Sequence, residues 1–129
     1  MKAILYISHG SRSPLSGEEN RRMASILKEK SGFSVVEYAF LEVAQPDIFA
    51  GIKACVDKGA REIVVLLNFL NSGNHVLKDI PGIFEEARKK YPEVIFKIPP
   101  HLGAHPAIPD LFLDLIERAE DHHPESGHL

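Results

Sequence analysis

The chain is short of the features that mark secreted, membrane-embedded or nucleotide-binding proteins. Its 129 residues include one cysteine, Cys55. A single thiol excludes an internal disulfide framework and any cysteine cage around zinc or an iron–sulfur cluster. A reducing cytoplasm is the expected compartment. No apolar run approaches the ~20 residues of a membrane span, so no membrane association is expected. The first apolar run, Ala3-Ile4-Leu5-Tyr6-Ile7, is too short for a signal-peptide core and has no small-residue cleavage site behind it. Neither sign of charge dominates: 18 acidic against 15 basic residues give a net charge of −3. That balance argues against a general nucleic-acid binder, which needs clustered Lys and Arg on one face. There is no P-loop and no Gly-x-Gly-x-x-Gly, so no organic cofactor is expected. Ser8, Ser11 and Ser13 lack the Gly-x-Ser-x-Gly frame of a nucleophile elbow.

What the chain does have is the make-up of an ordinary globule, 44% hydrophobic and 26% charged. Its length suits one domain, since domains cluster near ~100–150 residues. The expected division is one domain over residues 1–120 and a polar, frayed tail over 121–129. The tail histidines, His122, His123 and His128, read as part of a solvated end.

Four short apolar runs, at residues 3–8, 35–40, 63–67 and 94–98, read as strands. The third is continuous (Ile-Val-Val-Leu-Leu), as befits a parallel strand covered on both faces. Pro99-Pro100 ends the fourth. Between them lie helical stripes. One helix is expected over residues 18–30, stopped by Gly32, and a second follows Pro46 through Ile48, Ile52, Cys55 and Val56 to Gly59. A third carries Ile80, Ile83, Phe84, Ala87 and Tyr91, beginning at Lys78 or Asp79 with Pro81 in its first turn. The last carries Ile108, Leu111, Phe112, Leu115 and Ile116. This βαβαβαβα order predicts an α/β fold: a single three-layer α/β/α domain with a four-stranded parallel sheet, flavodoxin-like in appearance.

Ligands of such sheets sit beyond the C-terminal ends of the strands. After the first strand comes Ser8-His9-Gly10-Ser11-Arg12, and after the second Leu41-Glu42. After the third comes Asn71-Ser72-Gly73-Asn74-His75, and after the fourth His101 and His105. Neutral imidazole near pH 7 serves as metal ligand or proton acceptor, which makes His9 and His75 candidates for both roles. The bland alternative for each is a loop histidine that does no chemistry; two at one sheet edge weigh against it. Glu42 can complete a His, His, Glu set suited to divalent first-row metals, or serve as a helix-terminal charge. His101 is a candidate substrate contact, whereas His105 reads as a cap on the last helix. Cys55, inside an apolar stripe, reads as a buried structural thiol.

These residues carry a resemblance. Ser8-His9-Gly10-Ser11-Arg12, Phe40-Leu41-Glu42 before a helix, Gly73-Asn74-His75…Asp79-Ile80-Pro81 and Leu102-Gly103-Ala104-His105-Pro106 occur in the order seen in class II tetrapyrrole chelatases. The chain resembles the short CbiX-type sirohydrochlorin cobaltochelatases and one half of the SirB-type ferrochelatases. It departs from the pattern at Leu67, Asn68 and Asn71. The resemblance implies a chelatase-like fold and a lyase that inserts a divalent metal into sirohydrochlorin or a related metal-free tetrapyrrole, in cobalamin or siroheme biosynthesis. The metal is Co²⁺, with Fe²⁺ and Ni²⁺ as alternatives, and it is a substrate. His9, His75 and Glu42 are implied as its ligands, and the two histidines as the catalytic residues. Ser8, Gly10, Ser11, Arg12, Asn74, Lys78 and His101 are then candidates for binding the tetrapyrrole. One lobe where longer relatives have two implies a homodimer. The rival readings are a metal-binding carrier without turnover and a phosphoryl-transfer enzyme of the histidine-phosphatase kind. Against the latter, Ser8 stands where those enzymes carry Arg before the histidine.

Overall fold

A computed structural model describes residues 1–71 and 73–121, with backbone only for residues 74–77. Among these the elements run β1 (Lys2–Ser8), α1 (Pro14–Ser31), β2 (Val35–Phe40), α2 (Ile48–Asp57), β3 (Glu62–Leu67), α3 (Asn74–Lys90), β4 (Ile95–Lys97), a 3-10 turn (Leu102–Ala104) and α4 (Ile108–Asp121). The strands form one parallel sheet in the order β2-β1-β3-β4. The three-layer α/β fold expected from the order of elements is present. The tail beyond residue 121 lies outside the described residues, and α4 includes Asp121.

Alternation sorts each strand onto two faces. Ala3, Leu5 and Ile7 of β1, Ala39 of β2 and Ile63 and Val65 of β3 are buried in one cluster with Ile48, Ile52 and Cys55 of α2 and Ile80, Phe84 and Ala87 of α3. Burying each large apolar side chain there contributes roughly 1.5–3 kcal/mol. Gly51 lets α2 lie close on the sheet: a β-carbon there would stand 2.7 Å from Leu5 Cδ1. The opposite face carries Ile4, Tyr6 and Ser8, and α1 packs over β1 and β2 on that side. α4 packs on neither face and touches chiefly the 3-10 turn before it.

Two helix starts, those of α1 and α3, differ from the periodicity, and that of α2 agrees with it. α1 begins four residues early because Ser13 caps it: its hydroxyl accepts the Leu15 N–H at 3.3 Å, and Pro14 occupies the first turn. It ends as expected at Gly32, which takes the left-handed conformation at φ 75°. α2 starts at Ile48, where the Asp47 carboxylate accepts the Ala50 N–H at 2.8 Å. α3 begins at Asn74 rather than at 78 or 79, so Pro81 lies in the helix interior and deprives the carbonyl four residues before it of a partner. Asn74 and His75 therefore belong to the first helical turn and not to a loop.

Candidate active site

The parallel register continues past the ends of β1 and β2. Leu41 N–H donates to the Ser8 carbonyl at 2.9 Å, and Glu42 N–H to the His9 carbonyl at 3.0 Å. Phe40 N–H donates to the Pro46 carbonyl at 2.8 Å, closing residues 41–46 into a tight loop. Within it Ala44 N–H reaches the Glu42 carbonyl at 2.8 Å across Val43, whose φ is 72°. A β-branched residue at positive φ is an outlier that the surrounding contacts must hold in place. Gly10 provides the room: at φ 111° it lies so close that a β-carbon there would stand 1.8 Å from the Glu42 carbonyl oxygen.

This backbone clamp brings two of the candidate side chains together. His9 Nε2 and Glu42 Oε1 are 3.0 Å apart, with the side chains 53% and 57% exposed. A histidine–carboxylate contact in open solvent adds little to stability, ~0–1 kcal/mol, so stability is a weak reason for the pair to exist. His75 is the second residue of α3, which starts at the same edge of the sheet; its side chain and that of Asn74 lie outside the described residues. Among the described residues no group of three His, Cys, Asp or Glu side chains is poised around one point, so His9 and Glu42 stand as a pair.

Beneath His9 runs a buried polar chain. Asn68 Nδ2 donates to Ser8 Oγ at 3.1 Å, and Ser8 Oγ donates to Asn20 Oδ1 at 3.1 Å. Ser8 and Asn20 are 8% and 5% exposed. Ser8's hydroxyl is thus engaged inside the fold and acts on the site by tying α1 and the end of β3 to the base of the His9 loop. Ser11 is likewise used by the loop, its hydroxyl accepting the Ser13 N–H at 3.0 Å. Burial holds the Tyr6 hydroxyl above its ordinary pKa, with a hydrogen bond to Ser8 acting in the other direction. It therefore stays protonated and able to donate.

A pocket of about 650 Å³ opens beside His9 and Gly10, walled by Tyr6, Ser16, Asn20, Arg22 and Asn68. A second, apolar groove of about 470 Å³ adjoins it and shares Tyr6, Met23 and Asn68. His101 lines this groove, not the His9 pocket. His105 Nδ1 accepts the Ala107 N–H at 2.9 Å just before α4, the capping role expected of it. Arg12 and Lys78 are exposed and line neither pocket. Cys55 is fully buried, and burial pushes its thiol up to about 12. The sequence reading passed over Asn20 and Arg22 and noted Asn68 only as a departure from the family pattern. A signal was available for Asn20: Ser16, Asn20 and Met23 recur at helical spacing on one side of α1, which a solvated helix face does not require.

Comparison with known proteins finds relatives of this chain. The chain is similar to the chloroplastic sirohydrochlorin ferrochelatase of Arabidopsis thaliana, 34% identical over 119 residues, which cover 92% of this chain and 53% of that protein. It is similar to the sirohydrochlorin cobaltochelatase of Methanopyrus kandleri, 30% identical over 141 aligned positions, covering 92% of this chain and 97% of that one. Among solved structures it resembles the sirohydrochlorin chelatase SirB from Bacillus subtilis subspecies spizizenii in complex with cobalt, with a TM-score of 0.80 and 30% identity over 93% of this chain and 50% of that one. The chain spans only 34% to 62% of the length of several other curated relatives. The family model named CbiX matches residues 3–119. With nearly the whole described chain matched, this protein belongs to the CbiX family.

Proposed function

We propose that the protein inserts a divalent metal ion into sirohydrochlorin or a closely related metal-free tetrapyrrole, with Co²⁺ as the metal and Fe²⁺ and Ni²⁺ as alternatives. The observation that carries this reading is the His9–Glu42 pair, 3.0 Å apart at the C-terminal edge of a parallel sheet and beside an open pocket. Two donor atoms at that spacing fit neighbouring positions on a six-coordinate cation, whose edge is about 3.0 Å when its bonds are about 2.1 Å. With His75 as third ligand, part of the coordination sphere stays open, and an incompletely caged metal can be handed on. The names of the relatives support the substrate: they include sirohydrochlorin chelatases for cobalt and for iron.

In the reaction the metal forms bonds to the four ring nitrogens while two pyrrole N–H bonds break. The N–H electron pairs stay on nitrogen and two protons leave. His9 binds the metal through a neutral Nε2, which requires its proton to sit on Nδ1 or to have left. As the metal passes to the ring, that nitrogen is free to accept one of the pyrrole protons. The Glu42 carboxylate accepts the other, and both groups are open enough to solvent to release them. Arg22 at the pocket wall, with Arg12 and Lys78 further out, offers cations for the carboxylates around the macrocycle. Asn74 and the backbone at Gly10 are further contacts in this reading, and His101 reaches the substrate from the neighbouring groove.

The protein works as a homodimer in this reading, since it aligns with 50% of the SirB chain and a second copy supplies the other wall of a cleft. It acts in the cytoplasm, in cobalamin or siroheme biosynthesis; its one free thiol suits a reducing compartment. No described helix is long and apolar enough to cross a membrane. The test is anaerobic incubation with sirohydrochlorin and each of the three metals, followed in the visible spectrum against an enzyme-free control. Insertion faster than the control supports the assignment and ranks the metals. No acceleration with any of them, from folded protein, overturns it and favours a metal carrier.

A further inference from the structure

α4 leaves its apolar face without a partner inside the described chain. Leu111, Phe112, Leu115 and Ile116 recur at helical spacing, and each is more than half exposed. A helix amphipathic in this way belongs against an apolar surface. The same chain has such a surface uncovered. In the order β2-β1-β3-β4, α2 and α3 lie on one face and α1 covers β1 and β2 on the other. Among the described residues no helix packs over the α1 side of β3 and β4: at the start of these strands that side carries Ile95 beside Glu62, which pairs with Lys2 and Lys97, and at their C-terminal ends it is apolar. The apolar groove lined by Leu27, Leu66, Leu67, Pro99 and Leu102 lies on this side. A right-handed crossover after β4 would bring a helix to it.

The chain's own α4 is directed elsewhere. Gly103 anchors the 3-10 turn against the end of β3: its N–H donates to the Phe69 carbonyl at 2.9 Å, and a β-carbon would stand 1.7 Å from the Leu70 carbonyl oxygen. Pro106 and the His105 cap on Ala107 N–H then fix the direction in which α4 departs. The turn itself forms part of the groove wall, and no residue of α4 lines the groove.

We propose that α4 of one copy docks in the β3–β4 groove of a second copy, and that copy's α4 in the first, as a reciprocal two-fold exchange. This deepens the homodimer reading above and rests on it, not on the chelatase activity. The exchange takes Leu111, Phe112, Leu115 and Ile116 of both copies out of water, and it suits a chain that aligns with 50% of the SirB chain. Because the groove shares Tyr6, Met23 and Asn68 with the His9 pocket, the incoming helix also walls the open side of the active site.

A complementation experiment tests this in the full chain. One variant carries Phe112→Glu and Leu115→Glu, which spoils the helix face; the other carries Met23→Glu and Leu102→Glu, which spoils the groove. All four residues are at least 39% exposed, so both variants should keep the wild-type far-UV circular dichroism, which is checked first. By light scattering the wild type is expected to have twice the mass of one chain, and each variant alone the mass of one chain. Mixed, the two variants are expected to regain a two-chain species, because one intact helix still meets one intact groove. A wild-type monomer overturns the dimer itself, and one destabilised by Phe112→Glu shows α4 closing on its own groove. A dimer that persists in both variants, or two monomeric variants that do not associate on mixing, overturns the exchange while leaving the chelatase reading untouched.

Discussion

Gly10 and Glu42 touch backbone to backbone: a β-carbon on Gly10 would overlap the Glu42 carbonyl oxygen at 1.8 Å. That contact sets the distance between the two loops that carry His9 and the Glu42 carboxylate. Gly10→Ala meets both the overlap and a φ of 111°. It is expected to cost at least ~1–3 kcal/mol of stability and to push the two loops apart. Thermal melting and a Co²⁺ titration check it, and the weaker metal binding should exceed that of Gly17→Ala, where a β-carbon meets nothing within 4 Å.

Ser8→Ala should destabilise out of proportion to its size. It leaves Asn68 Nδ2 and Asn20 Oδ1 without their shared partner in a buried place. The expected loss is ~1–3 kcal/mol in urea denaturation, against a change near zero for the exposed Ser25→Ala. Equal effects would mean that the buried chain does not hold α1 to the His9 loop.

Metal binding should depend on Glu42 more than its exposed ion pair would suggest. Glu42→Ala is expected to weaken Co²⁺ binding ~10–100-fold in calorimetry while leaving the melting temperature almost unchanged. Loss of stability without loss of affinity would make Glu42 a structural residue.

Cys55 should be inert in the native protein. Burial first, and the Glu37 carboxylate second, raise its thiol to about 12, so it remains protonated at neutral and mildly alkaline pH. The folded thiol thus holds its proton more tightly than the unfolded one, at ~8.5. Its contribution to stability is full below ~8.5 and declines as pH rises from there toward 12. A thiol reagent should react at pH 8 at the rate of unfolding, and Cys55→Ser should flatten the alkaline fall in stability.

Much of the architecture could be read from the chain because local signals and burial agree. The continuous run at Ile63–Leu67, the glycine stop at Gly32 and the proline pair after β4 all mark elements that the structure contains. The edge of the sheet that carries His9, Glu42 and His75 followed from topology alone. Where periodicity misplaced a boundary, a cap outweighed it, as Ser13 did for α1. The interior position of Pro81 was hidden because proline is equally at home in a first turn. Asn68 could not be read as part of the site because a lone amide in a loop carries no spacing signature; only the fold reveals that Ser8 lies between it and Asn20. The direction of α4 depends on Gly103 against Leu70, a contact between distant residues that no local pattern encodes.

The central claim is that His9 handles the metal during insertion into a tetrapyrrole. The most direct measurement is the initial anaerobic rate of Co²⁺ insertion into sirohydrochlorin by wild type, His9→Ala and His75→Ala, each shown to be folded by circular dichroism. The account predicts insertion well above the enzyme-free rate for wild type and a fall to near that rate for both variants. Wild-type activity retained in His9→Ala would contradict it.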